Sequence, residues 1–108
     1  VVEAIAKNAG VKEILVSRMY DHLLVNEYDL DGEIKRFDTS YDIAQSLQRL
    51  REGKNIQEHD RILILHESTE YLLMNRDGLS YEDAHQKANE KYDYATALKK
   101  FLKQKDGE

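Results

Sequence analysis

Apolar residues recur along most of this chain at intervals of three and four, the spacing that lays side chains on one face of a helix. Val1 to Ala9 reads as a short helix stopped by Gly10, a residue suited to the left-handed position after a helix end. Val11, Ile14, Leu15, Arg18 and Met19 carry a second helix to about Tyr20. From His22 the periodicity loosens. Leu23 to Tyr28 reads as a strand, Asp31-Gly32 as a two-residue hairpin turn, and Glu33 to Phe37 as the returning strand. The competing reading continues the second helix through Val25. A two-stranded hairpin is marginal alone, so this one needs a helix to pack on.

Helical spacing then returns. Asp38-Thr39-Ser40 offers N-caps for a helix from about Tyr41 to Glu52, with Ile43, Ala44, Leu47 and Leu50 as its apolar stripe and Gly53 as its stop. A longer helix runs from roughly Glu58 to Arg76 and closes at Asp77-Gly78. Ser80 caps the next, whose inward stripe is Tyr81, Ala84, His85, Ala88 and Tyr92. A last helix starts near Asp93, buries Tyr94, Ala97, Leu98, Phe101 and Leu102, and exposes Lys99, Lys100 and Lys103. The pattern predicts a mainly α fold: a compact bundle of about five helices with a short β-hairpin near residues 23–37.

The long central helix departs from a plain core pattern. Its segment Arg61 to Met74 is the longest apolar stretch of the chain, yet it carries His66, Glu67 and Glu70 in its middle. With His66 set at 0°, Leu73 and Ile62 fall at about −20° and −40°, Glu70 at about 40° and Leu63 at about 60°. His66 and Glu70 therefore share the apolar face, and Glu67, near 100°, stands at its margin. Arg61, Ser68 and Asn75 form the polar stripe, centred near 200°. Buried charges need compensation by a metal, a partner side chain or a catalytic role, since desolvation costs several kcal/mol per ion.

Composition narrows the choice. The chain is a single domain of 108 residues with a net charge of −5, which argues against a general duplex-DNA binder without excluding a nuclease that has a small local basic site. No segment approaches the length of a membrane span. With no cysteine, any metal site must draw on the 4 histidines and the 21 Asp and Glu residues. The start at Val1-Val2-Glu3-Ala4, without an initiator Met or signal pattern, suits a chain that begins inside a longer protein.

One constellation carries chemistry. The connector Asp77-Gly78-Leu79 is short, so the central helix and its successor are expected to be antiparallel neighbours. That would face His66 and Glu70 with His85, a three-ligand set for zinc or another divalent metal with one position open. Glu67 would then act as general base on a metal-bound water. The logic is that of the H-E-x-x-H metallopeptidases, but the fifth position here is Glu70, so the signature is absent. The alternative is a buried structural network in which the same three residues satisfy one another. A second polar group, Tyr20, His22, Arg36, Asp38 and Tyr41 with Gln45, Ser46 and Arg49, supports a metal-free nuclease reading: a histidine base and an arginine on phosphate. Its bland counterpart is a capped turn. His59, beside Asp60 at a helix start, reads as a surface or cap residue.

Several residue groups together carry a resemblance: Tyr20-Asp21-His22, Arg36-Phe37-Asp38, Tyr41 to Ser46, Gly53 to Ile56, His59-Asp60, Leu65-His66-Glu67 with Glu70, and Ser80 to His85. The succession, about residues 18–95, resembles the C-terminal domains that follow phage and prophage head-morphogenesis (minor capsid) modules, and related polymorphic-toxin tails. The resemblance implies a C-terminal module of a larger parent protein, with a capsid or immunity partner, acting as a toxin or effector enzyme; it does not fix the chemistry.

Overall fold

The computed structural model describes residues 1–106. Six helices and one hairpin order the chain: α1 (Val2–Ala9), α2 (Glu13–Tyr20), β1 (Tyr28–Leu30), β2 (Glu33–Lys35), α3 (Tyr41–Glu52), α4 (Glu58–Asn75), α5 (Tyr81–Lys91) and α6 (Tyr94–Asp106). The mainly α bundle with a small hairpin is therefore the fold, with the two short N-terminal helices distinct from one another.

The hairpin is shorter than its sequence pattern predicts. Residues 21–25 do not form a strand: they prolong α2 as one wide π-helical turn, closed by a 2.7 Å bond from the Asn26 N–H to the Asp21 carbonyl. The helical alternative wins here because His22 and Leu23 continue the buried face of Val16 and Met19. Pairing begins only at Tyr28, opposite Lys35, and the turn residues Asp31 and Gly32 take φ of 57° and 83°. Two consecutive positive φ values are those of the tight hairpin turn that Asp-Gly favours.

The core joins Ile5, Ala6 and Ala9 of α1, Val16 and Met19 of α2, Leu47 and Leu50 of α3, and Leu63 and Ile64 of α4. α4 is the axle, touching α2, α3, α5 and α6. That wide cover explains why Ser68, placed on the polar stripe by periodicity, is buried. α5 reaches α4 through Ala84 and Ala88, both fully buried and small enough to let two helix backbones approach. Gly78, at φ 71°, turns the chain between them. The outer helices are less covered than their stripes suggest: Ala44 and Leu102 are exposed.

A second polar group is built into the fold. Asp60 accepts two bonds from Arg49, each 2.8 Å, and a third from the Gln57 N–H at the start of α4. His59 is buried, against expectation, beneath Tyr94 and Phe101 of α6 and beside the Arg49 guanidinium. Burial holds its pKa below the usual imidazole value. Residues expected to act as surface caps thus tie α3, α4 and α6 together.

Candidate metal centre

Glu70 is the hub. Its carboxylate is buried and meets three imidazoles: His22 Nε2 at 2.8 Å on Oε1, and His66 Nε2 at 2.9 Å and His85 Nδ1 at 3.0 Å on Oε2. Each partner arrives from a different part of the fold. His66 stands one turn before Glu70 on α4, His85 comes from α5 across the Asp77–Ser80 connector, and His22 comes from the π-helical turn after α2. The expected trio of His66, Glu70 and His85 therefore converges. His22, assigned from sequence to another polar group, joins it.

The surroundings fix ring orientation and protons. His66 Nδ1 lies 2.9 Å from the Tyr92 carbonyl, which only accepts, so Nδ1 carries a proton. With Nε2 donating to Glu70, both ring nitrogens of His66 face acceptors. Burial disfavours the charged ring, but the bond to Glu70 and the nearby carboxyls outweigh it and raise the His66 pKa. Glu70 follows the same balance in reverse. Burial pushes its carboxyl up, yet the three imidazole bonds bring it down to about 2.

His22 has a relay behind it. Its Nδ1 is 2.8 Å from the Tyr28 hydroxyl, which also meets the side-chain amides of Asn26 at 3.0 Å and Asn75 at 2.9 Å. When His22 donates from Nε2 to Glu70, the Tyr28 O–H donates a hydrogen bond to Nδ1 and its oxygen accepts from both amides. Asn75 is fixed as a donor, because its other N–H bonds the Tyr71 carbonyl at 2.8 Å. Asn26 can turn its amide, and Tyr28 then supports the opposite His22 tautomer as well.

Glu67 is buried beside the hub without a comparable set of bonds, its Oε2 3.7 Å from His22 Nε2. Burial, reinforced by the Glu70 charge, pushes its carboxyl up to about 8. One glutamate of the pair is thus held ionised and the other protonated at neutral pH.

Access runs past His85, whose side chain is 45% exposed, whereas His22 and Glu70 are at 0% and 2%. Beside it a cleft of about 360 Å³ is lined by Phe37, Tyr81, Asp38, Asp29 and Lys35 among others. Phe37 lies on His22, with ring centres 4.9 Å apart, and Tyr81 lies on His85 at 5.3 Å, so these two rings separate the cleft from the cluster. Burial and the two glutamates raise the Tyr81 phenol to about 12.

The second predicted polar group is dispersed. His22 is sealed beneath Phe37, Arg36 and Asp38 line an exposed surface recess, Tyr41 is 76% exposed at the start of α3, and Tyr20 borders a separate groove between α1 and α2. Ser46 and Arg49 belong to the Asp60 group instead. The chain matches no family model, no curated protein and no solved structure.

Among the described residues, two groups offer ligand atoms close enough for one ion each: His66, Glu70 and His85, and His22, Glu67 and Glu70. All are the nitrogen and oxygen donors that zinc and other first-row divalent metals take. His66 meets a further requirement, since a ligating imidazole needs its second nitrogen held by an acceptor, here the Tyr92 carbonyl.

Proposed function

We propose that this chain is a divalent-metal hydrolase domain of the peptidase-like kind, with zinc or a similar ion held by His66 Nε2, Glu70 Oε2 and His85 Nδ1. The observation that carries the reading is the convergence of two imidazole nitrogens within 3.0 Å of one ionised carboxylate oxygen. Three protein donors leave a position for water, as in catalytic rather than structural sites. A metal there supplies Lewis acidity and a water of lowered pKa. The chain's own residues do the rest. The Tyr92 carbonyl fixes the His66 ring, Glu70 presents its oxygen, and the half-exposed His85 marks the solvent side. Glu67, protonated at neutral pH in the metal-free protein, would ionise beside a bound cation and would then accept the proton of the attacking water. The setting we propose is a C-terminal module of a phage-related or effector protein, on the residue pattern that carries that resemblance.

A structural reading is favoured by one observation: among the described residues, every buried side-chain nitrogen and oxygen has a hydrogen-bond partner. Calorimetric titration of chelator-treated protein with zinc separates the two. The metal reading expects saturable binding that His66→Ala abolishes, together with peptide or casein hydrolysis restored by metal. No heat of binding in the wild type, and no metal-dependent turnover, would leave the cluster as a structural network.

A further inference from the structure

The two oxygens of Glu70 face different partners. Oε2 meets His66 and His85, whereas Oε1 meets His22, and Glu67 completes a triad on that side. From this partition we infer a second metal position, held by His22 Nε2, Glu67 Oε2 and Glu70 Oε1, so that Glu70 bridges a binuclear centre. The inference rests on the metal reading of the first position and extends it.

Four features support the assignment. First, a carboxylate that splits its oxygens between two donor sets is the bridge that co-catalytic metal pairs use, with ions about 3.5–4 Å apart. Second, the inner triad repeats the composition of a hydrolytic site, neutral imidazole with carboxylates, and leaves coordination positions unfilled by protein. Third, His22 can bind metal through Nε2 only if its proton moves to Nδ1. The Tyr28 relay accepts that change when Asn26 turns its amide, so the ligand's second nitrogen is held in either state. Fourth, the inner ligands come from two places that sequence does not connect: α4 and a π-helical turn, an irregularity that recurs at functional sites.

The arrangement gives the two positions unequal access. The inner triad is buried, with His22 covered by Phe37, while the outer one opens at His85. His66, Glu70 and His85 would hold the ion nearer solvent, and His22 and Glu67, through the carboxylate shared at Glu70, would place a second positive charge beside it. Glu67 binds through Oε2 and keeps Oε1 for the water's proton, so both roles fit one side chain.

The test is a metal count. Chelator-treated protein is loaded with Zn²⁺ or Mn²⁺, desalted and analysed for metal per chain, with Mn²⁺ samples also read by electron paramagnetic resonance. Two equivalents and a spin-coupled manganese signal are expected. Glu67→Gln, a substitution that leaves every hydrogen bond to Glu70 in place, should reduce the count to one and abolish the coupling. His22→Gln should do the same. One equivalent in the wild type, unchanged by Glu67→Gln, would overturn the second position and leave the first intact. No bound metal at all would overturn both.

Discussion

Glu67 and Glu70 sit three residues apart on one helix, and the same substitution should act on them with opposite signs in metal-free protein. Glu67 is buried and held at about 8, against an ordinary value of 4.5. The unfolded chain ionises there and the folded chain does not, so between pH 4.5 and about 8 stability falls as pH rises. At pH 7 the accumulated cost reaches up to about 3 kcal/mol, at 1.36 kcal/mol per pH unit. Glutamine keeps the shape and removes the titration, so Glu67→Gln should stabilise the protein by about 1–3 kcal/mol at pH 7 and flatten that pH slope. Glu70→Gln removes the charge and leaves one acceptor oxygen where three imidazoles now share two. Two of these, His22 and His66, are buried. An unsatisfied buried group costs about 1–3 kcal/mol, so a loss of about 2–4 kcal/mol is expected. Urea unfolding in chelator measures both, with a constant slope confirming that the midpoint shift is stability. Shifts of the same sign, or a loss of more than about 1 kcal/mol for Glu67→Gln, would refute the assignment of charge within the cluster.

Three further outcomes follow from the rest of the fold. Arg49→Met leaves the fully buried Asp60 carboxylate without its two-pronged partner and should cost about 3–5 kcal/mol in chemical denaturation. The pH profile of that region has a definite sign. His59 is held below 6.5 chiefly by burial. Asp60 is held below 3.8 because its hydrogen bonds to Arg49 and Gln57 outweigh burial. For both, stability is full above the unfolded value and lost as pH falls through the folded one, so in the Glu67→Gln background, where the opposing Glu67 slope between pH 4.5 and about 8 is gone, melting temperature should drop below pH 6.5 and again below pH 3.8. Gly53 has φ of 70°, and an added Cβ would lie 3.0 Å from the Asn8 amide that bonds the Leu50 carbonyl. Gly53→Ala should lower stability by about 1–2 kcal/mol in thermal unfolding, with Gly53→Asn milder because Asn tolerates the left-handed region.

Much of this was legible in sequence, for physical reasons. Helical periodicity located the six α-helices, because each carries apolar residues at three- and four-residue spacing on the side that faces its neighbours. The Asp31-Gly32 dipeptide located the hairpin turn, because both residues accept positive φ. The i, i+4 pair His66 and Glu70 and the stripe residue His85 announced their convergence through helix geometry and a short connector. His22 escaped because the strand reading of Leu23 to Tyr28 cut the helix before it. Had the helix been carried through Val25, Val16, Met19, His22 and Leu23 would have formed one inward face, with a histidine on it. His59 escaped for another reason. The first turn of a helix is usually solvated, and nothing local reveals that α6 folds back to cover it with Phe101. Ser68 shows the same limit: a helix covered on several sides has no fixed polar face.

The metal centre can be tested most directly by a crystal grown with zinc and measured on both sides of the zinc absorption edge. The account predicts anomalous density about 2.0–2.2 Å from His66 Nε2, Glu70 Oε2 and His85 Nδ1. It predicts a second peak about 3.5–4 Å away, between His22 and Glu67. Absence of anomalous density there, with the His66 and His85 nitrogens still hydrogen-bonded to Glu70, would contradict it.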